Sequence, residues 1–291
     1  MQPAHSPLLP AAAFLLPLLG ALSASANIVV NFADTQAVAG YSQETMNAIA
    51  GTSFYFEHAS VGGNMVAGLN TLHSGNASFY RLTTSSASAT APASLAAGTV
   101  YDYDRGNPGW QAKVDGFAAD ISGSWGGRTT FAMSKFCYID PDASWTYYRD
   151  SMLALEAANP TTNFVYMTIP LTADSGSDNV LRGNFNNALR TWAAANNRIV
   201  FDIADIEAHS AGGALQTFSS GGQTYQRLAA DWTSDGGHLN TAGQALVAKG
   251  FYALAAEVVA IPEPSAYALA LGVATLSTVL WRRRHFAARW G

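Results

Sequence analysis

The sequence predicts an α/β domain built on a mostly parallel sheet that helices cover on both faces. Two patterns carry this. Short runs rich in aromatic and β-branched residues recur along the chain, and several are followed by stretches whose apolar residues are spaced for one helical face. Strand followed by crossover helix, repeated, is the pattern of a parallel sheet. Size is the third observation: of the 291 residues, about 238 remain once two expected terminal segments are set aside, which suits a single core. With 49% hydrophobic residues, 12% charged and 14 Phe, 12 Tyr and 7 Trp, the chain has far more surface to bury than a disordered one.

In chain order, Ser53–Phe56 reads as a strand, and Met65, Val66, Leu69 and Leu72 share the face of the helix after it. The Ser, Thr, Ala and Pro stretch Thr83–Gly98 reads as an exposed loop, because strands resume beyond it. Further strands are expected at Thr130–Ile139, Phe164–Ile169 and Ile199–Ile203. A helix with Leu181, Phe185, Leu189 and Trp192 inward lies between the last two, and a final helix runs from Thr241 to about Val259, capped by Asn240 or Thr241. There is no internal repeat, Gly-x-y period or heptad. Cys137 is the single cysteine, so no internal disulfide is possible and stability must come from packing.

Both ends read as targeting segments. Residues 11–22 form an apolar run followed by Ser23-Ala24-Ser25-Ala26, a small-x-small site of the kind signal peptidase cleaves, so a signal peptide is expected over 1–26. At the other end, residues 265–281 are uncharged and stop at Arg282-Arg283-Arg284. As a helix of about 1.5 Å per residue this span nearly matches a bilayer core, with the arginines held in the cytoplasm. Just before it stands Pro262-Glu263-Pro264. This order resembles the PEP-CTERM sorting signal of Gram-negative bacteria that make exopolysaccharide, and the resemblance implies an exosortase-type processing enzyme, transient membrane anchoring by the 261–291 tail and release to the cell surface or matrix. A permanent single-span anchor is the alternative. All 20 acidic residues but only 11 of the 15 basic ones lie between Asn27 and Pro264, so the domain carries −9 while the whole chain carries −5. Such an acidic domain argues against nucleic-acid binding.

Chemistry is expected where a strand breaks into a glycine-rich turn. The first such place is His58-Ala59-Ser60-Val61-Gly62-Gly63-Asn64, which sets Ser60 between a strand and a helix N-terminus. Free N–H groups there can stabilise an oxyanion, although a serine at that position can equally serve as a plain N-cap. The second is Asp235-Gly236-Gly237-His238 ahead of the last helix. An acid three residues before a histidine can hold one ring nitrogen while the other takes a proton from a hydroxyl.

These two segments resemble the first and last blocks of the SGNH (GDSL-like) hydrolases, in a divergent His-x-Ser-Val-Gly form, over about 200 residues. The resemblance implies a three-layer α/β/α, flavodoxin-like fold and a serine esterase acting through an acyl-enzyme, without metal or other cofactor. Ser60 would be the nucleophile, His238 the general base and Asp235 its orienting acid. The oxyanion hole would use the Ser60 N–H, the Gly106 N–H of Arg105-Gly106-Asn107-Pro108-Gly109, and an amide from Asn107 or Asn64. The family's Gly-x-Asn-Asp block is absent, and the corresponding strand end reads Lys135-Phe136-Cys137-Tyr138-Ile139-Asp140. The expected substrate is an acyl ester, with O-acetyl groups on extracellular polysaccharide suggested by the sorting tail. A non-catalytic carbohydrate-binding matrix protein and a polysaccharide O-acyltransferase are the alternatives.

Several other residues invite a role. His58 projects to the same side of the strand as Ser60, with a structural hydrogen bond to a neighbouring loop as its simpler reading. Cys137 sits inside an apolar run and reads as a buried strand residue rather than a nucleophile. Asp202, Asp205, Glu207 and His209 form an acidic cluster whose spacing matches no ligand frame, so solvated loop acids are expected. Trp110, Tyr101 and Tyr103 are placed either to stack on sugar rings or to pack.

Overall fold

The computed structural model describes residues 27–259. The expected signal peptide and the tail with its apolar span lie outside them, and among the described residues no helix is long and apolar enough to cross a membrane. The elements in order are β1 (Ile28–Val30), α1 (Phe32–Ala37), α2 (Gln43–Ile49), β2 (Ser53–His58), α3 (Val61–Gly75), β3 (Thr83–Ser86), β4 (Thr99–Asp104), α4 (Trp110–Asp120), β5 (Phe131–Ser134), α5 (Trp145–Ala158), β6 (Asn163–Met167), α6 (Ser177–Asn196), β7 (Ile199–Phe201), α7 (Ile203–Ala208), β8 (Thr217–Ser220), β9 (Gln223–Gln226) and α8 (Thr241–Val259). Seven strands form one sheet in the order β1-β7-β6-β5-β2-β4-β3, every pairing parallel, while β8 and β9 make a separate antiparallel hairpin.

Alternation along the central strands divides the core in two. Phe54, Phe56, Phe131, Met133, Val165, Met167 and Phe201 face a layer made with α3 and α8. Tyr55, Ala132, Phe164, Tyr166 and Val200 face the other, made with α4, α5 and α6. This is the expected three-layer α/β/α architecture, and its five central strands follow the doubly wound order of flavodoxin-like folds. From β2 the chain steps outward to β4, then returns to β5 on the opposite side. The loops after β2 and β5 therefore diverge, opening a crevice at the carboxyl edge of the sheet.

On the first face α3 and α8 cross almost backbone to backbone. A Cβ at Gly68 would lie 2.0 Å from the Gln244 carbonyl oxygen and 2.8 Å from Ala248 Cβ. Gly68→Ala is expected to force the helices apart and cost about 1–3 kcal/mol, lowering Tm by about 2–4 °C per kcal/mol. Thermal unfolding followed by circular dichroism checks this, and an unchanged Tm would contradict the contact.

Three sequence expectations need correction. Thr83–Gly98 is not all loop: Thr83–Ser86 forms the edge strand β3 against β4, its polar side chains suited to an exposed edge. The strand expected to Ile139 stops at Ser134, because the Asp140 carboxylate accepts the Cys137 N–H at 2.8 Å and the chain turns. On α6, Leu181 is 44% exposed while Arg182 is buried. Polar partners for Arg182 from other loops outweigh the apolar stripe there.

Candidate active site

Ser60 leaves β2 in a backbone conformation that serine seldom adopts, φ 52° and ψ −109°. Such geometry stores strain of about 1–3 kcal/mol and persists only where packing imposes it. Here the neighbouring contact is severe: a Cβ on Gly62 would lie 2.2 Å from His58 Cβ, so glycine alone lets α3 start this close to β2. Ser60 occupies the N-cap position of α3, yet its hydroxyl caps no backbone N–H. It lies instead 2.8 Å from Nε2 of His238.

The other ring nitrogen of His238, Nδ1, is 2.7 Å from Oδ2 of Asp235. The remaining oxygen, Oδ1, accepts the N–H groups of Gly237 and His238 at 2.9 and 2.8 Å. Those bonds, together with the imidazole, hold the Asp235 carboxyl well below the usual carboxylate range. An ionised acceptor on Nδ1 selects the tautomer with the proton there, leaving Nε2 free to accept the Ser60 proton. The turn bearing the pair is tied down on two sides. Asn64 Oδ1 accepts the Leu239 N–H at 3.0 Å, and the Ala173 N–H donates to the Gly236 carbonyl at 2.9 Å. Asn240 caps α8 by accepting the Gly243 N–H.

Of the expected oxyanion donors, the Ser60 N–H has no backbone acceptor among the described residues. Gly106 is differently placed: its N–H donates to Oδ1 of Asp104 at 2.9 Å and is already engaged. An aspartate two residues before a glycine at φ 71° closes an Asx turn, which the sequence signal for a glycine loop does not reveal. Asn107 accepts Lys113 Nζ at 2.9 Å through its carbonyl oxygen. Among the described residues its amide nitrogen, like that of Asn64, has no acceptor and is available to donate.

The loops around the site are braced from below. Arg105, at the root of the Gly106 turn, forks onto Glu57 at 2.7 and 2.8 Å and pairs with Asp120, which also accepts the Tyr55 hydroxyl at 2.7 Å. Burial pushes the Glu57 carboxyl up to about 7 against the pull of Arg105. Lys113 on α4 pairs with Asp140 while donating to Asn107, so it ties the loop after β4 to the loop after β5.

That last loop brings in Tyr138, which sequence reasoning missed. Its hydroxyl stands 3.4 Å from Nε2 and 3.5 Å from Nδ1 of His238, with the rings edge to face at a centroid distance of 5.4 Å. Burial first, then the neighbouring Cys137 and Asp235, raises its pKa above the ordinary phenol value. The only available sequence signal was its place in the string that replaces Gly-x-Asn-Asp.

The remaining sequence candidates stay apart from this centre. His58 is buried, and among the described residues neither ring nitrogen makes the expected hydrogen bond to a loop; its charged neighbour is Asp102 on the adjacent strand, at 3.6 Å. The pairing of β2 with β4 decides that neighbour. Cys137 is buried as expected, but in the turn after β5 rather than in the strand. The Asp202 cluster is not made of solvated loop acids. Asp202 and Glu207 are buried, Asp202 caps α7 and pairs with Arg190, and His209 stacks on Phe32. Among the described residues no three His, Cys, Asp or Glu side chains gather as a metal site would need. Tyr101 is core, Tyr103 lies under the Arg105 guanidinium, and Trp110 borders a surface hollow of about 360 Å³ together with Pro108, Gln111 and Asp115.

No family model and no curated protein matches this chain. Among solved structures it is similar to a candidate acylhydrolase of Bacteroides fragilis, at 12% identity over 72% of this chain and 88% of that one, with a TM-score of 0.46. It is also similar to a GDSL-like lipase of Bacteroides thetaiotaomicron, at 10% identity over 78% and 98% of the two chains, TM-score 0.44. A candidate lipolytic protein of the G-D-S-L family from Desulfitobacterium hafniense gives 11% identity over 70% and 99%, TM-score 0.44.

Proposed function

We propose that this protein is an exported serine esterase of the SGNH hydrolase type. One observation carries the reading: Ser60, His238 and Asp235 form an unbroken hydrogen-bonded chain, 2.8 and 2.7 Å, at the carboxyl edge of a doubly wound sheet. In the proposed reaction Ser60 Oγ attacks the ester carbonyl carbon while His238 Nε2 takes its proton. The tetrahedral oxyanion meets the Ser60 N–H at the start of α3, with an amide from Asn107 or Asn64 as second donor. Collapse breaks the bond to the alcohol, which leaves with the proton from His238, and water then releases the acid from the acyl-enzyme by the same steps reversed.

An active-site-directed fluorophosphonate tests this. The full-length protein is expected to gain one adduct, mapped by mass spectrometry to Ser60, and His238→Ala is expected to lose it. Absence of an adduct on folded protein would sink the proposal. One observation favours a second reading, glycan binding without turnover: the Gly106 N–H is engaged by Asp104 and the Gly-x-Asn-Asp block is missing. That reading requires the probe to fail.

For the substrate we propose O-acetyl groups of extracellular polysaccharide. Support comes from the sorting-signal resemblance of the tail and from Trp110, which meets Tyr147 edge to face beside Asp115 and Gln111 just beyond the Gly106 turn. Aromatic faces flanked by a carboxylate and an amide suit a sugar ring. The proposed export is supported by the apolar run over 11–22 with its small-residue site, and signal peptidase and an exosortase-type enzyme are the proposed processing partners.

A further inference from the structure

We infer that Tyr138 is a catalytic residue on the leaving-group side of the site, its phenol hydrogen-bonding the departing alcohol oxygen and orienting the water that replaces it. This rests on the esterase reading above.

The distances to His238 favour the leaving-group side. The leaving oxygen must come within about 2.6–3.2 Å of His238 Nε2 to receive its proton. The Tyr138 hydroxyl is 3.4 Å from that nitrogen and therefore borders the same place. Its distance to Nδ1 is nearly equal, 3.5 Å, with the two rings edge to face. Ser60 Oγ, at 2.8 Å, remains the nearer partner of Nε2. The proposed oxyanion donor, the Ser60 N–H, belongs to the start of α3 instead.

The phenol is also rigidly mounted, as such a role requires. Buried Arg182 donates Nε to the Tyr138 carbonyl at 2.8 Å, and its Nη1 is held by Thr172 and Asn179 at 2.8 and 2.6 Å. On the other side the ring rests against Gly237, where a Cβ would lie 3.0 Å from it. So the turn that positions His238 also positions Tyr138.

In the step itself, Ser60 Oγ forms the new bond to the acyl carbon and its proton passes to His238. As the acyl–alkoxide bond breaks, the proton on Nε2 moves to the leaving oxygen while Tyr138 O–H donates a hydrogen bond to that oxygen and keeps its own proton. The requirement grows with the basicity of the leaving group. A p-nitrophenolate departs without help, whereas an alkoxide needs both donors.

The test is Tyr138→Phe in the full chain, measured as kcat/KM across acetate esters from p-nitrophenyl through phenyl to ethyl. Ethyl acetate is expected to lose about 10- to 100-fold, the worth of a hydrogen bond to a developing charge, and p-nitrophenyl acetate at most about threefold. The plot of log kcat/KM against leaving-group pKa should steepen. A uniform loss across the series would assign Tyr138 to the oxyanion or to folding, and no loss would leave it without a role; either result overturns the inference. If Ser60→Ala retains ethyl acetate hydrolysis, the esterase reading fails instead, so the two failures are distinguishable.

Discussion

Ser60→Ala is expected to lower kcat for p-nitrophenyl acetate on the order of 10⁴- to 10⁶-fold, as removal of a triad nucleophile does. The companion variant Ser60→Gly should be equally inactive yet more stable. Glycine occupies φ 52° without penalty, so relief of the strain is expected to add about 1 kcal/mol and raise Tm by about 2–4 °C. Steady-state kinetics with thermal unfolding of the same preparations checks both halves. A Ser60→Gly protein that melts lower than the parent would contradict the idea that packing imposes this conformation to aim the hydroxyl. Activity surviving in Ser60→Ala would remove the nucleophile from the mechanism.

Asp235→Asn is expected to cost about 10²- to 10⁴-fold in kcat. The asparagine can present its NH₂ to Nδ1, which favours the tautomer with a proton on Nε2, the wrong one for accepting a proton from Ser60. Because the Asp235 side chain is 57% exposed, water can partly take its place, which sets the lower end of that range. The same carboxylate predicts the shape of the pH profile. Its pKa is depressed, so it stays ionised as pH falls past its ordinary value of 3.8 and contributes no step there. The acid limb should then show no step from Asp235. An inflection near the ordinary carboxylate range in kcat/KM against pH would argue against the hydrogen bonds from Gly237 and His238.

Much of the fold was legible in the sequence because its signals are local. Strand-forming runs at Ser53, Phe164 and Ile199, and the stripe through Met65 and Leu69, report which backbone conformation buries their apolar atoms. The same logic failed at Leu181. Arg182 finds the Tyr138 carbonyl and the Thr172 hydroxyl from other loops, and periodicity carries no information about distant partners. It failed again in the Asp202 cluster, where exposure was inferred from charge although Arg190 and the α7 cap take the carboxylate inward. β3 was invisible because an exposed edge strand has no need of apolar residues.

The candidate site divides along the same line. Two turn chemistries, Ser60 before Gly62-Gly63 and Asp235 before His238, can be read from a few adjacent residues, since each depends on a tight turn at a helix start. The sequence by itself determined the fold class, the acidic domain between its two unlike ends, and those two halves of a triad. Only the tertiary structure decided that Ser60 meets a histidine 178 positions away, that the Gly106 N–H is engaged by Asp104, and that Tyr138 fills the space beside the imidazole. Those outcomes depend on strand order and on which loops share the carboxyl edge of the sheet, and local periodicity is silent about both.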